Sequence, residues 1–168
     1  YTGYKIPLDV AKQLPNATTG TMTAYLYTYN GSTQIGSTAS KTFTIIVPKV
    51  RPTINTLSIS LDNSANSTIE NWGLAVAGYT KLKFSATASG IYNSTISYYR
   101  IVDSTNSNNL IEKWKYTGST LNYTTSTITF SGTKKYKSDA WDSRGYDSYY
   151  SNEVEIQIYP YSKPSIST

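Results

Sequence analysis

Apolar and polar residues alternate with a period of two along much of this chain, the spacing expected of strands with one buried face. The cleanest stretch is 81–88, where Leu82, Phe84, Ala86 and Ala88 fall on one side and Lys81, Lys83, Ser85 and Thr87 on the other. The same pattern predicts strands over 21–29, with Met22, Ala24 and Leu26 opposite Tyr25, Tyr27 and Tyr29, and over 42–47, with Phe43, Ile45 and Val47 on one face. It continues over 54–61 through Leu57, Ile59 and Leu61, and over 94–102 around Ile96, Tyr98 and Ile101, with Tyr98-Tyr99 hinting at a bulge. Weaker strands are predicted over 110–116, 121–123 and 126–130, and a final pair over 135–140 and 153–158. Residues 70–78 read as irregular or as a short strand, and 8–15 as a single helical turn ended by Pro15.

Turn chemistry punctuates these segments. Asn30-Gly31 follows the 21–29 strand at once, a strong hairpin signal. Asp142-Ser143-Arg144-Gly145 separates the last two strands; Asp and Ser bond nearby backbone, and Gly accepts positive φ. Composition agrees with the pattern. Seventeen Tyr residues and abundant Thr, Ser and Asn favour pleated surfaces and turns over helices. The fold class expected is all-β.

Two proline-bearing stretches divide the chain. Lys49-Val50-Arg51-Pro52 follows Pro48, and Tyr159-Pro160-Tyr161-Ser162-Lys163-Pro164 follows the last strand. The interval between Pro52 and Pro164 suits an immunoglobulin-sized sandwich of about 100 residues with short strands and frequent turns. The expected organisation is therefore tandem immunoglobulin-like β sandwiches joined by short proline-containing linkers. Residues 1–50 form the C-terminal part of one module or a small module, 51–160 a complete one, and 161–168 a linker or the start of a third. Tyr1 stands where an initiating Met would, so the chain reads as a piece of a longer protein.

What is missing narrows the chemistry. The chain has no Cys and no His. Disulfides, thiolate nucleophiles, Cys-based zinc sites and a Ser-His-Asp triad are excluded within it. The net charge is +5 and the pI about 9.2, from basic residues that are spread rather than clustered. That charge gives solubility and a general attraction to anionic surfaces, without a nucleic-acid module signature. No apolar run is long enough for a membrane-spanning helix. The expectation is no nucleic-acid or membrane partner, no cofactor, no metal and no enzymatic activity.

Several phrases resemble a known family. Trp72-Gly73, then 78–84 and 90–99, are similar to the immunoglobulin-like repeats of minor structural proteins in siphophage tails of Gram-positive hosts. Ala140-Trp141-Asp142-Ser143-Arg144-Gly145 resembles the Asp-Ser-Arg-Gly turn of those repeats. Ile6-Pro7, Leu14-Pro15-Asn16, residues 28–36 and Val47-Pro48 resemble the module that precedes them. The resemblance implies a virion component of the tail tip or baseplate, a structural and adhesion-supporting spacer that presents host-binding parts to the bacterial surface. Its implied partners are other virion tail or baseplate proteins, copies of itself in the particle, and host cell-wall polysaccharide. An alternative reading is an adhesin or carbohydrate-binding module of a bacterial surface protein, which would share the fold.

Candidate sites follow from the residues. Trp114, Tyr116 and Tyr123 could offer an aromatic platform to a sugar ring, as could Tyr98-Tyr99 and Tyr149-Tyr150. The competing and commoner role of outward Tyr is cross-strand pairing. Trp72 and Trp141 read as core or edge-packing residues. Asp142, Arg144 and Gly145 read as a structural turn, with the Arg144 fork tying Asp142 or a carbonyl of a neighbouring loop. Asp139, Asp142 and Asp147 lack the spacing of a calcium loop. Acids at Asp62, Glu70, Asp103 and Glu112 sit in strands or polar loops rather than as a glycosidase pair. The Asn-X-Ser/Thr triplets at Asn16, Asn30, Asn66, Asn93 and Asn122 read as turn residues.

Overall fold

The computed structural model describes residues 6–107, 109–115, 118 and 120–162, with the backbone alone at 112–115. It is built mostly of strands. A 3₁₀ helix, Leu8–Gln13, ends before Pro15. Strand β1 (Thr19–Leu26) pairs antiparallel with β4 (Ala39–Ile46) from Thr19↔Ile46 to Leu26↔Ala39. At the tip, β2 (Tyr29–Asn30) and β3 (Thr33–Gln34) form a small hairpin turned through Gly31 at φ +59°. The Asn-Gly signal thus yields a hairpin where it was expected. The strand expected over 21–29 is shorter, because the chain breaks after Leu26 to make that tip.

Among the described residues, no second layer covers this first ribbon. Leu26 is 67% exposed, Tyr25 62% and Ile46 77%. Burial rises toward its base, where Val47 and Ala11 are buried. There the Val47 amide donates to Thr18 O at 2.9 Å, and Leu14 packs so closely on Gly20 that any side chain at Gly20 would displace it.

Residues from 53 onward make two sheets around one core. The four-stranded sheet contains β5 (Thr53–Ile54), β6 (Ser58–Asp62), β8 (Lys81–Ser89) and β11 (Thr120–Thr124), with β5, β6 and β11 all antiparallel to β8. The five-stranded sheet runs β10 (Asn109–Lys115), β9 (Ile96–Asp103), β12 (Gly132–Asp142), β13 (Val154–Tyr159) and β7 (Ala75–Val76); only the β13–β7 pairing is parallel. Leu82, Phe84, Ala86, Ala88 and Leu121 from the first sheet meet Ile96, Tyr99, Ile101, Tyr136, Ala140 and Ile158 from the second. Phe84 and Tyr136 cross edge-to-face at 5.2 Å, joining the layers at the centre. The 81–88 alternation is realised in full, with all four apolar residues buried.

Five expectations need correction. First, the expected 54–61 strand is broken into β5 and β6, and Leu57 between them is buried with its amide donating to Asn152 Oδ1 at 2.7 Å. Second, Ser67–Trp72 is a helix, α1, not part of an irregular segment. Asn66 caps it by accepting from Thr68 N and Ile69 N, and Gly73 ends it at φ +66°. Six residues are too few to display a helical period, so the capping residues are its signal. Third, 126–130 is not a strand: Ile128 is buried, but its backbone bonds Thr80 O and Gly78 N individually. Fourth, of the core and edge-packing readings of Trp72 and Trp141 the core one fails: Trp72 is 53% exposed, and Trp141 lies on the outer face of the five-stranded sheet. Fifth, the bulge hinted at Tyr98-Tyr99 falls one position earlier, where Trp141 pairs with Tyr98 and Asp142 with Ile96, leaving Ser97 unmatched.

A buried polar knot ties the segments on either side of α1 to the sandwich. Thr80 Oγ1 donates to Asn63 Oδ1 at 2.6 Å and accepts from Val76 N at 2.8 Å, while Asn63 Nδ2 donates to Leu74 O at 3.1 Å. Every group in it is matched, as buried polar atoms require.

Candidate functional site: the turn at residues 142–152 and the joint it makes

β12 does not turn directly into β13. After Asp142 the chain makes a tight turn and runs back along β12 before β13 begins. Trp141 bridges to Asp147, Ser148 N donates to Ala140 O and Ser151 N to Ser138 O, each bond at 2.8 Å. Two serine hydroxyls complete this irregular edge: Ser148 Oγ accepts from Ala140 N at 2.9 Å and Ser151 Oγ from Ser138 N at 3.0 Å. Short hydroxyl side chains take the place of a regular ladder here, which is why Ser148 is buried.

At the turn itself, Asp142 Oδ1 accepts from Arg144 N at 3.0 Å and Tyr146 N at 2.9 Å. Gly145 has φ +83°, a conformation that strains any residue with a β-carbon. The Arg144 side chain is fully buried. Its Nη2 donates to the carbonyls of Ile91 and Tyr92, and its Nε lies 3.9 Å from Asp142 Oδ2. Its guanidinium faces the Tyr92 ring at 5.6 Å. Tyr92 and Asn93 both have positive φ, and a β-carbon at Gly90 would collide with the Ser94 carbonyl oxygen. Arg144 therefore grips a loop whose backbone is held in a costly shape.

The gripped loop and the turn together reach the N-terminal region. Ser143 Oγ donates to Pro15 O at 2.7 Å and accepts from Thr95 N at 3.1 Å. Asn93 Nδ2 donates to Lys12 O at 3.3 Å. Farther along, Arg51 Nη1 pairs with Asp147 Oδ2 at 2.6 Å and donates to Asp147 O at 3.1 Å. The Arg51 guanidinium lies 4.9 Å from the Tyr149 ring, and Lys49 Nζ 5.6 Å from that of Tyr146. The hydrogen bond from Arg51 is the main cause that holds the Asp147 carboxyl below its ordinary range, and the same bond raises Arg51. The turn thus binds Pro15, just after the 3₁₀ helix, and the returning segment binds Arg51, while the gripped loop binds Lys12 within that helix.

The outer face of the five-stranded sheet carries a ladder of rings and charges. Tyr98 stacks on Trp141 at 5.0 Å with 16° between planes. Arg100 lies 4.3 Å from the Trp141 ring and binds Asp139 with two bonds, at 3.0 and 2.6 Å. The Tyr150 hydroxyl oxygen (Oη) accepts a longer bond from Arg100 Nη2, and Lys137 stands 5.4 Å over its ring. Nearby, Asp103 accepts from Lys134 Nζ at 2.6 Å and Thr105 N at 2.9 Å. Burial opposes ionisation of Asp103, but these bonds outweigh it and leave its pKa lowered.

The aromatic trio named from sequence is not brought together as far as it is described. Trp114 is on β10, paired with Tyr99 in the five-stranded sheet, whereas Tyr123 is on β11 in the other sheet, with its ring 6.2 Å from the buried Phe84. Tyr116 lies outside the described residues. Asp142, Arg144 and Gly145 do share one turn. Sequence places Ser143 and Asn93 in turns and Arg51 in a proline-bearing stretch, but it assigns none of Arg51, Asn93, Ser143 and Arg100 its long-range partner. Arg100 had a signal, being a cation amid apolar strand residues; the others had none, because their partners are far away along the chain. Among the described residues, no group of three or more acids could hold a metal ion, and no described helix is long and apolar enough to cross a membrane.

A family model described as "Siphovirus protein of unknown function (DUF859)" matches residues 1–168. No curated protein matches the chain. Among solved structures, the fibronectin(III)-like modules of Clostridium thermocellum CbhA are similar over 92% of this chain and 84% of theirs, at 15% identity and a TM-score of 0.42.

Proposed function

The chain belongs to this siphovirus protein family, and from that premise we propose that it is a structural, adhesion-supporting part of the phage tail tip or baseplate. It acts as a semi-rigid spacer of tandem immunoglobulin-like modules that presents host-binding parts to a Gram-positive surface. One observation carries the reading. The 3₁₀ region at the start and residues 49–51 are pinned to the 142–152 turn and the loop it grips, through Ser143–Pro15, Asn93–Lys12 and Arg51–Asp147. A spacer needs its modules held at a fixed angle, and these bonds act across that joint. No step of the reading calls for catalysis. Other tail proteins and further copies of the chain would bind its ends and edges, and many copies in one particle would add their weak surface contacts. The proposed setting is the virion tail, outside the host cell when it acts.

The test is labelling of intact siphovirus particles with antibody raised against this chain. Gold at the distal tail supports the reading. Gold on the capsid alone, or on no particle that contains the protein by mass spectrometry of the virion, overturns it.

A further inference from the structure

We propose that the cleft between residues 49–54 and Tyr149–Tyr150 is a binding site for an anionic carbohydrate polymer, one bearing phosphate or carboxylate groups. The cleft has a volume of about 700 Å³, within the usual range for ligand sites. Val50, Pro52, Ile54, Tyr149 and Tyr150 are among its lining residues. Pro52 is buried, so this part of the lining is fixed to the sandwich.

Three observations point to the ligand class. Tyr149 is 77% exposed and belongs to no strand, so it lacks the cross-strand partner that explains most outward Tyr in a sheet. Its ring is nonetheless held, with Arg51 against it at 4.9 Å. Tyr150 is 40% exposed and is held by Arg100 at its hydroxyl and Lys137 over its ring. Rings fixed in advance bind at low entropic cost and suit the C–H faces of sugar rings. The cations supply the charge preference. Lys49 lines the cleft and makes no ion pair among the described residues. Arg51 is paired with Asp147 through Nη1, so it offers its remaining donors rather than a net charge, and the free positive charge of the cleft is that of Lys49. A single-stranded nucleic acid would use the same chemistry, but it needs a basic track beyond the cleft. Arg100, Lys134, Lys135 and Lys137 on the neighbouring strands are all paired with acids, so no such track extends from it.

This site does not depend on the spacer reading; a rigid spacer could carry it or lack it. The experiment is a ¹⁵N-resolved NMR titration of the whole chain. The ligands are poly(glycerol phosphate) oligomers, oligogalacturonate, neutral maltoheptaose and an oligo-dT strand, at low salt and at about 0.15 M salt. The site predicts saturable shifts centred on Val50, Arg51, Thr53, Ile54, Tyr149 and Tyr150 with at least one of the two anionic glycans. Which of the two binds tells phosphate from carboxylate. Tyr149→Ala should weaken that binding roughly tenfold, and Lys49→Gln should flatten its salt dependence. Tyr149 is exposed, so unchanged dispersion of the β8 amides confirms that the variant is folded. Any of four results overturns the proposal: binding of neither anionic glycan, equal binding of maltoheptaose, tighter binding of oligo-dT, or unchanged affinity in Tyr149→Ala.

Discussion

Strands β1 and β8 carry the same kind of sequence and meet different fates. Both alternate along their length. In β8, every second residue is buried against a facing sheet. In β1, Met22 and Gly20 are half-buried, while Ala24 and Leu26 are exposed. Alternation states that a strand has an apolar face; it does not supply the layer that covers it. A two-stranded ribbon alone is marginal in water, whereas two facing sheets bury enough surface to stand. The first region is therefore ordered chiefly at its base, through Val47, Ala11 and Leu14, and at the joint. The second is ordered by its own core.

The largest contrast should come from the matched pair Phe84→Ala and Phe43→Ala. Phe84 is 1% exposed and touches both sheets, so its truncation should cost about 3–5 kcal/mol in urea unfolding of the sandwich. Phe43 is 37% exposed, and its truncation should cost under about 1 kcal/mol. Similar losses at the two positions would break the comparison. Next, Arg144→Ala leaves the Asp142 carboxylate buried without its cation and frees the loop at 90–94. It should cost about 3 kcal/mol and lower the thermal midpoint. An unchanged midpoint would remove Arg144 from the account of the turn. Asn66→Ala removes the cap of α1 and should cost about 1 kcal/mol, read by the same unfolding curves.

The smallest effect is in pH. Asp103 has a lowered pKa when folded. Its contribution to stability is complete above its unfolded value of about 3.9 and is lost as pH falls through the folded value. The urea midpoint should therefore drop on acidification below about pH 4. Asp103→Asn should show a shallower drop than the native chain. Identical slopes would mean the Lys134–Asp103 bond does not survive in solution.

How far the sequence discloses this molecule follows from the same contrast. The all-β class, the Asn30-Gly31 hairpin and the buried face of β8 are local facts, written in spacing and turn residues, and they are legible. Membership of a siphovirus protein family is legible too, in short phrases that resemble phage structural proteins. Helix α1 was missed because six residues show no period, although Asn66 and Gly73 marked its ends. The false strand at 126–130 arose because Ile128 is buried singly, by bonds to Thr80 and Gly78 rather than in a ladder. The joint was illegible. Its bonds link Ser143 to Pro15, Asn93 to Lys12 and Arg51 to Asp147, and no local pattern records pairs so far apart in the chain. Arg144 was marked by its turn, but the strained loop it grips was not.

A spacer needs that joint to be fixed, and one measurement addresses this directly. The chain has no Cys, so Ser40→Cys on β4 and Asn122→Cys on β11 can be spin-labelled without background, and the distance between them read by double electron–electron resonance. A fixed joint predicts a single narrow distance distribution that broadens when Ser143→Ala and Arg51→Ala are added together. A broad distribution in the parent chain, or no change in the double variant, would contradict it.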